Sequence, residues 1–183
     1  MVNMFDTIRS YDLRLYLELY NLGLNHPAVE STYYFFAKYG ILIFFLSFIY
    51  LIWRTRINAL ICSMLAMAIA GMVDLIIYII WQRPRPFIAH ADVVMPDTSR
   101  FNVDISSFPS SHTYIAFAVA TSIFLYGHKK LGTFLFIIAI LVAISRIGAG
   151  LHYPSDVIGG AMLGIFSGIV AYLAVHKMQR YWE

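Results

Sequence analysis

Ser145-Arg146-Ile147-Gly148-Ala149-Gly150-Leu151-His152-Tyr153-Pro154-Ser155-Asp156 separates two apolar runs, Leu131 to about Ile147 and Val157 to Val175. It places an arginine, a histidine six residues on and an aspartate four beyond that at the mouth of membrane-like segments. An imidazole whose far nitrogen donates to a carboxylate is held in one tautomer and becomes a better base or nucleophile. A neighbouring guanidinium offers a planar fork of donors suited to phosphate oxygens. Two readings of the trio stand side by side. One is a phosphate site built on Arg146, His152 and Asp156; the other is a loop histidine followed by an aspartate that caps a helix.

Two further stretches bear on the choice. Phe108-Pro109-Ser110-Ser111-His112 opens a later apolar run, and Arg83-Pro84-Arg85-Pro86-Phe87 closes an earlier one. Taken in order, the three stretches resemble the signature of the type 2 phosphatidic acid phosphatase superfamily, K-x6-R-P, P-S-G-H and S-R-x5-H-x3-D. The third matches at every fixed position. In the second, Ser111 stands where the family has glycine. In the first, Arg85-Pro86 match, but Tyr78 replaces the lysine, and Arg83 is the available substitute cation. The matched stretch runs from Tyr78 to Asp156.

The resemblance implies an integral-membrane lipid phosphatase. In it His152 would attack phosphorus to form a phosphohistidine, with Asp156 orienting the ring and His112 protonating the leaving oxygen before activating water. Arg85, Arg146 and Arg83 would hold the phosphate oxygens, with Ser110, Ser111 and the helix amino terminus adding donors. The scheme calls for no metal and no cofactor. Within the superfamily, the Arg-Pro-Arg-Pro-Phe run followed by Ile88-Ala89-His90, the short length and the tyrosine in place of lysine look most like bacterial undecaprenyl pyrophosphate phosphatases. Lipid A 1-phosphatases and phosphatidylglycerophosphate phosphatases are rival readings. So, more remotely, is a phospholipid-binding or transporter-like protein, although a binder needs cations and has no use for a nucleophile, an orienting carboxylate and a separate acid. A vanadate-dependent haloperoxidase would share the pocket, but those chains are soluble and much longer.

Composition points to the same class. The 183 residues are 60% hydrophobic and 16% aromatic, with a mean hydropathy of +0.71, whereas soluble domains are about half apolar. One integral-membrane, all-α domain covering residues 1–183 is expected. The net charge of +3 is too small to indicate nucleic acid. Cys62 is the only cysteine, which leaves no disulfide framework and no thiolate metal site. No cleavable signal peptide is expected either, because charges interrupt the first twenty residues.

Along the chain, Phe5, Ile8, Leu13, Leu15, Leu17, Leu19 and Tyr20 alternate with charges, predicting an amphipathic helix over residues 1–27 at the bilayer surface. Asn25-His26-Pro27 breaks it. About five transmembrane helices follow between 31 and 175: Ser31 to Trp53, Ile57 to Trp81, Thr113 to Gly127, Leu131 to Ile147 and Val157 to Val175, each to be judged against the ~20 residues needed to cross. Lys38 and Asp74 interrupt the first two at similar depth, suggesting a buried pair. Gly160, Gly164 and Gly168 form a small-residue stripe suited to close helix packing.

Five crossings bring the three motifs and the polar segment 82–111 to one face. That segment includes Asp92, Asp97, Arg100 and Asp104, which read as solvated loop charges rather than a calcium site. Arg54, Arg56, Lys129, Lys130, Lys177 and Arg180 fall on the other face, which is cytoplasmic by the positive-inside rule. The site is therefore expected to face the periplasm or the extracellular side of a plasma membrane. A membrane lipid phosphate is the expected substrate, with the bilayer as the other partner and no nucleic acid.

Overall fold

A computed structural model of the chain describes residues 4–90, 95, 96, 98, 101 and 105–180. Among these are seven helices: α1 (Met4–Asn25), α2 (Pro27–Trp53), α3 (Ile57–Ile80), α4 (Pro86–Ala89), α5 (Ser111–Leu125), α6 (Lys129–Gly148) and α7 (Pro154–Arg180). The breaks fall where the backbone is constrained. Pro27 and Pro86 occupy the first turns of α2 and α4, and Pro154 opens α7. Proline there gives up an amide that has no intrahelical partner and fixes φ near its helical value. The hairpin from α2 to α3 is only Arg54 to Arg56, with Thr55 at φ 52°, and Arg56 N–H donating back to the carbonyl of Leu51 at 2.8 Å.

Four helices, α2, α3, α6 and α7, are long and apolar enough to cross a membrane. The fifth expected span, α5, has 15 residues. At about 1.5 Å per residue it falls short of a hydrocarbon core of about 30 Å. It compensates by burial: Ala116, Ala118, Val119, Ala120 and Ile123 are each fully enclosed, and α7, α6 and α3 surround the helix. The α7 glycine stripe supplies the closest approach. A Cβ on Gly160 would stand 2.8 Å from the carbonyl oxygen of Ser110, and one on Gly168 would stand 2.7 Å from Cβ of Thr121. Only a bare backbone fits, so the buried length of α5 is set from the neighbouring helix.

The amino-terminal helix α1 does not simply rest on a surface. Its Asp12, Tyr16 and Tyr20 are buried, and it packs on α2, α6 and α7. Tyr11, Leu15, Leu22 and Leu24 remain exposed on its other side. Between α3 and α5, the described residues 83–84 and 106–107 are likewise tied down. Pro84 pairs with Ser106 in an antiparallel bridge, Ser107 N–H donates to the carbonyl of Arg83 at 2.8 Å, and the Phe108–Pro109 peptide is cis. Asp92, Asp97, Arg100 and Asp104 lie outside the described residues.

The expected Lys38 to Asp74 pair does not form. Lys38 Nζ donates to Tyr34 Oη on its own helix at 2.8 Å and sits over the Tyr34 and Tyr39 rings. Asp74 instead accepts from Tyr114 Oη of α5 at 3.2 Å. Depth along two helices was compatible with pairing, but the two residues face different neighbours.

Candidate active site

The last turn of α6, a short loop and the first turn of α7 form one corner. Arg146 sits in the last turn of α6, where a cation is favoured by the carbonyl end of the helix. Asp156 sits in the first turn of α7. Its Oδ2 accepts from the backbone N–H of Tyr153 at 2.8 Å, reaching back over the helix start as a third-position acid does in a capping box. The capping reading and the catalytic reading thus describe the same carboxylate. Between them, His152 is 2% exposed.

The surroundings of the His152 ring define its chemistry. Nδ1 lies 2.8 Å from the carbonyl oxygen of Ser107 and 3.7 Å from Asp156 Oδ2. A carbonyl oxygen only accepts, so Nδ1 holds the proton and Nε2 presents its lone pair. The nearest partner orienting the ring is therefore a backbone carbonyl, with the Asp156 carboxylate standing behind it as the compensating charge. On the opposite side, Nε2 is 3.3 Å from Arg85 Nη1 and 3.3 Å from Arg146 Nη2. Both guanidiniums are anchored from behind, Arg85 to the carbonyl of Leu151 at 2.9 Å and Arg146 to that of Ala37 at 3.1 Å. At 4% and 3% exposure they are buried cations.

His112, on the first turn of α5, is near enough to Arg146, His152 and Arg85 for their charges to act on it. Ser110, the residue preceding α5, is fully buried. Its N–H already donates to the carbonyl of Asp156 at 3.1 Å, and its Oγ accepts from Thr113 at 3.0 Å, so this serine ties α5 to α7. Ser111 lines a cavity of about 330 Å³ together with Arg85, His152, Asp74, Tyr78 and Pro109. Tyr78, at the position of the family lysine, is therefore a cavity residue.

Arg83 is the departure from expectation. It does not line that cavity. Its Nη1 donates to Asp156 Oδ1 at 2.6 Å, its Nη2 to Asp12 Oδ2 at 2.7 Å, and its Cζ lies 4.1 Å from the centre of the Tyr153 ring. Two carboxylates hold it, so it stands behind Asp156 and away from that cavity. Sequence reasoning missed Ser107, which contributes its backbone carbonyl, and Asp74, expected to pair with Lys38, lines the cavity instead. Among the described residues, no group of three or more His, Cys, Asp or Glu is placed to hold a metal.

Comparison with known proteins finds relatives over most of the chain. The PAP2 superfamily matches residues 59–180. Over 166 residues the chain is 32% identical to the bacitracin transport permease protein BcrC of Bacillus licheniformis, covering 86% of this chain and 77% of that protein. It is 29% identical over 162 residues to the undecaprenyl-diphosphatase BcrC of Bacillus subtilis, covering 86% and 81%. The crystal structure of Aquifex aeolicus LpxE superposes with a TM-score of 0.72 at 30% identity, covering 87% of this chain and 93% of that one.

Proposed function

Because the chain belongs to the PAP2 superfamily and its relatives include an undecaprenyl-diphosphatase, we propose that it cleaves the terminal phosphate from undecaprenyl pyrophosphate through a phosphohistidine at His152. The observation that supports this most strongly is the position of His152 Nε2, 3.3 Å from each of two anchored guanidiniums. A phosphoryl group entering there meets a lone pair in line with phosphorus and cations beside its equatorial oxygens. Charge that develops on those oxygens is met by donors already in place, usually the largest single contribution to such catalysis.

In the first step the Nε2–P bond forms as the bond from phosphorus to the bridging oxygen breaks. His112 gives its proton to that oxygen, and undecaprenyl phosphate leaves. In the second, His112 takes a proton from water, whose oxygen attacks phosphorus and releases inorganic phosphate and free His152. Asp156 offsets the positive charge that the ring acquires in between.

The site end of the bundle faces away from the cytoplasm in this reading, because Arg54, Arg56, Lys129, Lys130, Lys177 and Arg180 all belong to the other end. The exposed apolar face of α1 then lies in the lipid interface. A second reading, a lipid A phosphatase, is favoured by 35% identity over 72 residues to the lipid A 4'-phosphatase of Bacteroides thetaiotaomicron.

The test is phosphate release by the purified protein in detergent with EDTA, comparing undecaprenyl pyrophosphate, lipid A and phosphatidylglycerophosphate, beside His152→Ala. Preferential release from the first, abolished by the substitution, supports the proposal. Preference for lipid A moves the assignment to the second reading, and release from none of them, or equal release by the variant, overturns both.

A further inference from the structure

We infer that Asp12, on the amino-terminal helix, is a positioning residue for His152 and acts through Arg83. The inference rests on the reading of His152 as the nucleophile. Asp12 is 8% exposed, and both of its carboxylate oxygens are occupied. Oδ1 accepts from the backbone N–H of Ser155 at 2.8 Å. Oδ2 accepts from Ser155 Oγ at 2.5 Å and from Arg83 Nη2 at 2.7 Å. Arg83 Nη1 closes the ring by donating to Ser155 Oγ at 2.6 Å. A carboxylate from residue 12 thereby caps the start of α7 from outside that helix.

Arg83 is connected to both groups that face His152 Nδ1. Its guanidinium holds Asp156 Oδ1 at 2.6 Å, which leaves Oδ2 turned toward the imidazole. Its backbone carbonyl accepts from Ser107 N–H at 2.8 Å, and the carbonyl of Ser107 is the nearest acceptor for Nδ1. One arginine therefore sets both the carbonyl that orients the ring and the carboxylate that offsets its charge. Asp12 fixes the edge of that arginine which Asp156 does not. Arginine keeps two such contacts only if both partners present acceptors in the plane of its fork. Without the Asp12 carboxylate, Arg83 has a single anion and is free to tilt about it.

The test is Asp12→Asn, a near-isosteric change that removes the charge and places an amide opposite a guanidinium. Expected is a fall in kcat of about tenfold to hundredfold, the scale of a small misplacement of a reacting group, with KM changed by no more than about threefold. Arg83→Met combined with Asp12→Asn is expected to be no worse than Arg83→Met alone, the signature of residues acting in series. A second readout is independent of any lipid. In ¹⁵N-histidine spectra, with the His152 signals identified by their loss in His152→Ala, Asp12→Asn is expected to move the His152 titration to lower pH and to weaken the preference for the Nδ1–H tautomer. Among the described residues, the groups facing the ring are Arg85 and Arg146 at Nε2, Ser107 and Asp156 at Nδ1, and His112 nearby, and Arg83 connects the two at Nδ1 to Asp12.

Should Asp12→Asn not fold, Ser155→Ala removes a bond to both Asp12 and Arg83 while keeping all charges, and is expected to shift the His152 spectrum in the same tautomeric sense. Unchanged spectra and unchanged kcat per folded molecule, with only a lowered thermal midpoint, would reduce Asp12 to a structural anchor and overturn the inference. If the unmodified protein releases phosphate from none of the lipids, the functional proposal fails, and the spectral shift alone decides whether Asp12 positions His152.

Discussion

The carbonyl oxygen of Ser107 lies nearer to Nδ1 of His152, at 2.8 Å, than does the carboxylate of Asp156, at 3.7 Å. Orientation of the ring and compensation of its charge are therefore separate tasks given to separate groups. Asp156→Asn should leave the ring in place while removing the compensating anion. Its kcat is expected to fall by about 10²- to 10⁴-fold, the range seen when a triad carboxylate is neutralised or acid–base help is lost. His152→Ala should form no covalent intermediate at all. Rapid-quench measurement of phosphohistidine separates the two, since Asp156→Asn still forms it slowly.

The leaving oxygen gives a test for His112. If His112 donates the proton, His112→Ala should lower kcat on a lipid substrate by about 10²- to 10⁴-fold. A phosphate ester whose leaving group is already a stable anion needs little protonation, so for an aryl phosphate the same substitution should cost far less. An equal loss on both substrates would place His112 in some other role.

Packing of α7 on α5 predicts the behaviour of Gly164. A Cβ there would meet Ala118 N at 2.9 Å and the carbonyl oxygen of Tyr114. These are backbone atoms of a buried helix and have little room to move. Gly164→Ala is expected to destabilise the bundle by about 1–3 kcal/mol, as overpacking does, and the thermal midpoint in detergent reports it. Gly71→Ala, with nothing within 4 Å of the added carbon, is the matched control and should have little effect.

Three tyrosines at the junction of α1 with the bundle give a pH dependence. Tyr16, Tyr20 and Tyr153 are all pushed above the usual tyrosine value, chiefly by burial. Tyr16 stacks on Tyr20 with ring centres 5.6 Å apart. Their neutral forms are favoured in the folded state, so their contribution to stability is complete below the ordinary value near 10.0 and is lost as pH rises through the raised folded values. Release of α1 in strong alkali, accompanied by tyrosinate absorbance appearing later than for a free tyrosine, is the expected result.

The corner residues Arg146, His152 and Asp156 can be read from sequence because one turn between two helices brings them together, so that spacing alone implies proximity. The helix boundaries are legible for a similar reason, since His26-Pro27 and Tyr153-Pro154 announce them locally. What sequence could not supply depends on neighbours. Ser107 contributes a carbonyl, which no side-chain pattern reveals. Asp12 and Ser155 meet across 143 positions, and nothing in either local stretch names the other. Lys38 and Asp74 illustrate the converse: hydropathy gave each a depth, but the direction in which each faces is decided by Tyr34 and Tyr114. Arg83 looked like a cation in search of a phosphate because its two carboxylate partners come from the first and last helices.

Those same two partners have a bearing on biosynthesis. Chains emerge from the ribosome amino end first, so α1 and its Asp12 exist long before Ser155 and Asp156 do. Arg83 and the Arg85 cation are also made early, before Asp156 and His152, the groups they contact. Arg83 therefore gains its second carboxylate, and α5 meets the Gly160, Gly164 and Gly168 stripe, only after α7 has been made.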